Sequence, residues 1–572
     1  MPLKTRIVAS LSLASLSFAK IYDSFSEVPI HTFDFVVVGG GAGGLVVANR
    51  LSENTHVTVL VIEAGVSDKD ALLLQVPFLW PNAQATQFDW NYTTAAQQGL
   101  NGRTIPYARG HVIGGSTSIN AQVYTRTAGE EWDRLAKETG DGGWSWKNMK
   151  QYFLKNEILT PADGHDITGQ INPAVHGKSG INGDSLPGFP SPIDSRVIQT
   201  TKELPNEFPF NLDMNDGSPV GVGWCLSTVR DGARSSASTS YLAPKYANRS
   251  NLHVVLNTRV TRVLANTPET PLKLQKVEIA STAAGPTFQF TARKEVILAG
   301  GTIGSAQILM NSGIGDASAL QTLGIQPVLD NPSVGANLSD HSMVPISFYV
   351  NSTDTRDTMA RDPSLMDCYL EEWIASRTGP LVVPGASTLV FLRLAKDSPV
   401  LKQFADPVPG SQTPHIELLI INGFSGSPLP ETGNFLAISA SVVSPSARGS
   451  IRLNFDIAVM KEAIKSAHHF VSAPVWSDYV LGPFVNITTD AELEQYIRDN
   501  ADTVWHPVGT AAMTAKTASF GVVDPDLSVK GVEGLRVIDA SVFPHVPAGH
   551  TQVPVYVVAE RGSDLIKKKW KL

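Results

Sequence analysis

The stretch FDFVVVGGGAGGLVVANRL, residues 33–51, decides how this chain folds. Phe33 to Val38 is an unbroken run of apolar residues, mostly β-branched or aromatic, apart from Asp34, which predicts a strand buried on both faces. A glycine turn follows, and a helix is expected from near Ala42, with its apolar side toward the sheet. Gly39, Gly41 and Gly44 fit the pattern G-x-G-x-x-G. The first permits a tight turn, the second lets a pyrophosphate approach the backbone, and the third lets helix and strand pack closely. The start of such a helix offers unpaired N–H groups and a partial positive charge to phosphates. A second strand, VTVLVIEAG at 57–65, carries Glu63, 19 residues after Gly44. An acid there can accept a hydrogen bond from a ribose hydroxyl. Strand, glycines, helix, strand and acid in this order describe a dinucleotide-binding unit.

With 572 residues the chain is too long for one compact core, so two domains, interleaved or sequential, are expected. A net charge of -8 argues against nucleic acid or anionic membranes as partners. Nothing repeats at a fixed period, and no later apolar run approaches a membrane span. At the N-terminus, Lys4 and Arg6 precede IVASLSLASLSFA, with Ser17 and Ala19 at the -3 and -1 positions of a cleavage site. Residues 1–19 therefore read as a secretion signal. Sequons at Asn91, Asn248, Asn337, Asn351 and Asn486 are compatible with a secreted glycoprotein. Cys225 and Cys368 allow one disulfide at most, and the sequence leaves their pairing open. An extracellular enzyme has no supply of diffusible nicotinamide cofactor, which favours tightly held FAD over NAD.

Farther along, YARGHVIGGSTSINAQVYTR at 107–126 packs Gly110, Gly114, Gly115, Ser116, Thr117 and Ser118 into one segment, so backbone can approach a flat ring or a phosphate. This stretch resembles the first signature of the glucose-methanol-choline (GMC) family of flavin oxidoreductases, and GTIGSAQILMNSGIG at 301–315 resembles the second. The resemblance runs from about Phe33 to the C-terminus, through VGANLSDH at 334–341 and DASVFPHVPAGHTQVPVYVVAERGSDLI at 539–566. His111 departs from the usual Lys or Arg, and Ala306 from the usual Pro or Ser.

The resemblance implies an α/β fold of two domains. A Rossmann-like FAD-binding domain is assembled from 33–150, 231–340 and 500–572. It interleaves with a substrate domain, an antiparallel sheet with helices, from 151–230 and 341–499. The segment reading is compatible: NLHVVLNTRVTRVLA from Asn251 and KEVILAGG from Lys294 read as strands, and LRVIDASVFP as a strand from Leu535 ending at Asp539. The resemblance further implies FAD contacts at Gly39, Gly41, Gly44, Glu63, Val112, Gly115, Asn120, Val260, Asp539, Ala540 and Val553. A helix beginning near Pro554 would aim its positive end at the flavin.

Two histidines stand in small, apolar surroundings, in WHPVGTAAM at 505–513 and PAGHTQVPVY at 547–556. Oxidising an alcohol by hydride transfer requires a base for the hydroxyl proton while hydrogen moves from carbon to flavin N5, and histidine suits that task near neutral pH. His506 matches the family's catalytic histidine and is expected to be the base. His550 matches the position held by His or Asn and is expected to orient the substrate oxygen. His111, His341 and His545 read as structural or as residues supporting the site from behind the reacting groups. No metal is expected. The expected partners are a small alcohol as donor and oxygen or a quinone as acceptor, the enzyme acting as a monomer.

Within the family the chain resembles the fungal group of aryl-alcohol oxidases and pyranose dehydrogenases. Trp505 and GHTQVPVY favour primary aryl or unsaturated alcohols, oxidised to aldehydes. Against that, Ala121 stands where aryl-alcohol oxidases carry tyrosine, and VYTRTAGEEWDRLAKETGD at 123–141 is closer to the sugar dehydrogenases. Sugars are thus the second expectation, and an FAD-containing hydroxynitrile lyase the third.

Overall fold

A computed structural model describes residues 20–161, 167–265, 272–280, 285–449 and 455–572, so the expected signal at 1–19 lies outside the described residues. Strand Thr32–Val38 is buried from Phe33 onward, and helix Ala42–Leu51 follows its glycine turn. The strand lies inside a parallel array, with Val36 opposite Leu60 on one side and Val296 on the other. Burial on both faces explains its lack of alternation. Across the array run Ile21–Tyr22, Leu252–Val255, Val59–Ile62, Thr32–Val38, Phe288–Leu298 and Leu535–Val537. The first half of Phe288–Leu298 turns instead into an antiparallel meander with Leu274–Ala280 and Arg259–Ala265.

Two strand expectations change. The run from Asn251 is two strands, Leu252–Val255 in the parallel array and Arg259–Ala265 in the meander. Between them Asn257 takes a φ of 50°, a left-handed conformation that asparagine tolerates and that ends the strand inside an otherwise apolar run. The strand from Leu535 stops at Val537, and Asp539 caps the short turn Ala540–Val542 through a bond from the Ser541 amide.

A second sheet is antiparallel, in the order Val480–Pro483, Ser342–Val350, Phe435–Val442, Ile416–Ile421, Thr388–Leu392, Gly221–Trp224. Leu418, Ile420, Ile438 and Ala440 share a core with helix Phe455–Phe470. The alternate residues Glu417, Leu419 and Ile421 point to the other face, toward the first sheet. Helix Gln552–Trp570 packs on helix Ala42–Leu51, where buried Glu560 holds Arg50 at 2.7 Å. Among the described residues no helix is long and apolar enough to cross a membrane.

A buried ionic cluster anchors the segment between the sheets. Glu157 accepts from Arg126 at 2.5 Å and lies 2.9 Å from Nδ1 of His176, whose Nε2 is 2.9 Å from Asp213. Burial pulls the His176 pKa down, but the bonds to Asp213 and Glu157 outweigh it and raise the value to about 9. The unfolded histidine titrates near 6.5, so this contribution is full below that pH and is lost as pH rises through 9. Its size is on the order of 3 kcal/mol. The melting temperature of the native protein is therefore expected to fall between pH 7 and pH 10 by an increment absent from a His176→Gln variant. Parallel pH profiles of the two proteins would contradict this.

Candidate active site

One cavity of about 950 Å³ lies between the sheets and is lined from both. Of the residues expected at the cofactor, Gly39, Gly41, Glu63, Gly115, Asn120, Val260, Asp539 and Ala540 line it, together with both candidate histidines. Gly44, Val112 and Val553 do not. A Cβ at Gly44 would stand 1.9 Å from the Gly39 carbonyl oxygen, which is the helix-to-strand packing expected of the third glycine. Val112 is fully buried and bridges Val66, and Val553 is fully buried in the first turn of its helix.

The cavity wall fits a dinucleotide. Helices Ala42–Leu51, Gly301–Asn311 and Gln552–Trp570 all begin at it; the first and last have no side-chain cap, whereas the Gly301 amide is taken by Asp539. Such ends attract anionic groups. A Cβ at Gly41 would meet no protein atom closer than 3.7 Å and would stand in the cavity, so glycine is needed there for whatever fills the space. Two other glycines went unsingled in the sequence reading. A Cβ at Gly43 would stand 2.1 Å from the Ile538 carbonyl oxygen, and one at Gly65 2.1 Å from the His111 carbonyl carbon. Both mark close backbone crossings beneath the cavity floor.

The two acids at the site are occupied by their own chain. Glu63 accepts from the amides of Gly40 at 2.7 Å and Gly65 at 2.8 Å, and burial lifts its pKa to about 6 despite those bonds. Asp539 accepts from the Gly301 amide at 2.9 Å and the Ser305 hydroxyl at 2.5 Å through one oxygen, and from Ser541 through the other. Asp539 thus ties a helix start to a strand end at the cavity wall.

The two histidine rings meet edge to face with centroids 4.8 Å apart. His506 sits on a loop laced to the 339–341 segment: Val504 donates to the His341 carbonyl, Val508 and Ser339 exchange amide bonds, and the His506 amide donates to Asp340 at 2.8 Å. Asp340 also accepts from the hydroxyls of Thr503 and Tyr107. Trp505 carries the strain of the loop at φ 59°, its carbonyl held by Arg109 at 2.7 Å and its ring edge-on to Trp80. Nδ1 of His506 lies 3.0 Å from Nδ1 of His341. Burial, then the nearby His550, His341 and Arg109, hold the His506 pKa well below the ordinary 6.5. Burial likewise takes His341 to about 3.

His550 is held differently. Its amide donates to Thr125 at 2.7 Å, and its Nε2 lies 2.9 Å from Glu417, a fully buried carboxylate on the second sheet. His341 supports the site from behind His506, one of the two places expected of it, whereas Asp340, Glu417 and Arg109 were not expected there. For His341 and Asp340 the VGANLSDH motif was a visible signal, but Glu417 sits in an ordinary strand and had none.

His111 lies against Trp90 with ring centroids 4.3 Å apart and tilted by 55°, and does not line the cavity, and His545 bonds Arg448 and Glu138. Glu157, His176 and Asp184 are close enough to share a metal ion, but both ring nitrogens of His176 are already bonded to carboxylates, so the group reads as an ionic cluster. Cys225 is buried, Cys368 is exposed, and both are free thiols. Four sequon asparagines are exposed, whereas Asn337 is only half-buried but donates its Nδ2 to the Pro544 carbonyl.

The chain matches the family models for GMC oxidoreductase, its N-terminal part over residues 33–343 and its C-terminal part over 442–559. The dehydrogenase eriK of Hericium erinaceus is 40% identical over 99% of both chains, and pyranose dehydrogenase 3 of Leucoagaricus meleagris is 39% identical over 98% of both. The formate oxidase of Aspergillus oryzae, solved in connection with its FAD modification, superposes with a TM-score of 0.85 at 28% identity, covering 94% of this chain and 99% of that one. A fungal aryl-alcohol oxidase superposes at 0.80 with 24% identity over 95% of this chain and all of that one, a likeness of fold alone. By these matches and by its cavity, the chain belongs to the GMC oxidoreductase family and is an oxidoreductase acting on CH–OH groups.

Proposed function

We propose that the protein is an exported, FAD-dependent sugar dehydrogenase that oxidises a CH–OH group of a pyranose and passes the electrons to a quinone. The observation that carries the reading is the histidine pair at the end of a dinucleotide cavity, joined to relatives named pyranose dehydrogenases at 38–40% identity over 94–99% of the chain. This reverses the order expected from the sequence, where aryl alcohols came first. Ala121 lines the cavity, so the small residue that departs from the aryl-alcohol pattern lies where it can make room for a sugar. Phe78, Trp80, Phe424 and Trp505 also line it and offer flat apolar surfaces to the C–H face of a sugar ring. The order of charged, apolar and small residues at 1–19 supports export, and the four exposed sequons are the acceptors for glycans.

Gly41 and Gly115 would hold the pyrophosphate of FAD, Glu63 and Val260 its adenosine half, and Asn120 and Ala540 the flavin half. FAD supplies the two-electron acceptor for hydride from the reacting carbon. The first sheet is assigned to the cofactor unit and the second to the substrate unit, as the resemblance implies. With the His506 Nδ1–H donating to His341, the His506 Nε2 keeps the lone pair that takes the hydroxyl proton. Glu417 fixes the ring of His550, which then orients the substrate oxygen. Trp505, pinned by Arg109 and Trp80, narrows the approach to the cavity for oxygen.

Anaerobic mixing with a panel of donors tests the proposal. A neutral pyranose is expected to bleach the flavin absorbance, and a quinone to restore it faster than air. Bleaching by aryl alcohols with none by pyranoses would return the reading to the aryl-alcohol class. The cofactor assignment has its own check: Gly41→Val is expected to purify folded but without flavin absorbance, and full flavin content in that variant would contradict it.

A further inference from the structure

Arg356 opens helix Arg356–Arg361 and lines the cavity, half-buried. Its Nη2 donates to the Gly385 carbonyl, its backbone amide to the Asn422 carbonyl, and its guanidinium lies 5.0 Å over the ring of Phe78. Among the described residues no carboxylate lies within ion-pair distance of it. The adjacent acid, Asp357, spends both oxygens on the amides of Phe424 and Phe435, each at 2.8 Å. Burial alone acts on Arg356, drawing its pKa down to about 10 with no opposing charge.

The other charged groups at the cavity differ. Glu63 and Asp539 are saturated by their own chain, Arg109 has Asp340 and Asp89 near enough to offset part of its burial, and Arg259 is exposed, bonded to Gln307 and lying over Trp90. Arg356 alone among these combines partial burial, an unshared positive charge and unclaimed N–H donors. An uncompensated cation in such a place is held at a free-energy cost that a ligand anion would remove. A guanidinium matches a carboxylate through two parallel hydrogen bonds.

Its place along two walls of the cavity sets that anion apart from the histidines. Strand Ile416–Ile421 carries Glu417, the partner of His550, and is followed at once by Asn422, which receives the Arg356 amide. Five residues of strand span roughly 17 Å. On the other wall, Trp505 next to His506 meets Trp80, Trp80 donates to the Pro384 carbonyl, and Gly385 follows under Arg356. An anion held by Arg356 therefore belongs to a part of the donor remote from the reacting carbon.

We propose that Arg356 forms a remote subsite for a carboxylate carried on a second sugar unit, so that the preferred donors are acidic glycosides such as uronosyl disaccharides. This rests on the sugar-donor reading above and deepens it. Binding can be measured apart from turnover by reducing the holoenzyme chemically and titrating the fluorescence of the cavity tryptophans with cellobiose and with its uronic acid counterpart. The wild type is expected to bind the acid at least tenfold more tightly than the neutral disaccharide, with the advantage shrinking as salt rises. Arg356→Gln should remove that advantage while weakening cellobiose less than threefold, and Arg356→Lys should retain part of it. Equal affinity of the wild type for both sugars, or equal losses in the Gln variant, overturns the subsite. If no pyranose bleaches the oxidised enzyme, the donor reading falls, while Arg356-dependent binding of the acid would still support the subsite.

Discussion

Burial of His506 with no carboxylate bonded to its ring, among the described residues, is the constraint on which the rest of the site depends. A histidine so placed stays neutral, because charging it would require desolvation next to two other imidazoles and a guanidinium. The backbone around it is arranged to hold it there. Asp340 takes the His506 amide on one oxygen and the hydroxyls of Thr503 and Tyr107 on the other, and the strained Trp505 turns the chain so that the ring faces the cavity. The acid that could have paired with the imidazole is instead spent on the loop that carries it.

The second histidine depends on the second sheet. His550 precedes the helix that packs on the first sheet's glycine-turn helix, so its backbone belongs to the dinucleotide half of the molecule. Its ring is fixed by Glu417, which belongs to the antiparallel half. The pair therefore comes together only when both sheets are in place, and the cavity between them is shaped by that same meeting. The first half brings helix starts, glycines and Phe78, Trp80 and Trp505 to the cavity, and the second brings Arg356 and Phe424 to its wall and Glu417 behind His550.

Much of the dinucleotide half was legible in the sequence because its signals are local. The glycines at 39, 41 and 44, the acid at 63 and the strand at 33–38 are close in the chain, and each has a steric reason that survives any tertiary context. The pair His506 and His550 was legible through the motifs around them. What stayed hidden depended on contacts between distant segments. Glu417 reads as a strand residue until the fold brings it to His550, 133 residues away. Arg356 reads as a surface arginine until Asn422, just past the strand ending at Ile421, takes its amide and places it in the cavity wall. Asn257 broke a strand that apolar periodicity ran through, because a left-handed asparagine leaves no mark in hydrophobicity.

The central claim is that a neutral, buried His506 receives the hydroxyl proton. Anaerobic stopped-flow reduction by one donor across pH tests it most directly, in the wild type and in His506→Ala. The account predicts that the wild-type rate is flat through the ordinary histidine range near pH 6.5 and falls only well below it, because the depressed pKa keeps the base unprotonated there. It also predicts that His506→Ala keeps its flavin and is slowed by roughly 10²- to 10⁴-fold. A wild-type rate that titrates near pH 6.5, or a His506→Ala variant reduced at nearly the native rate, would contradict it.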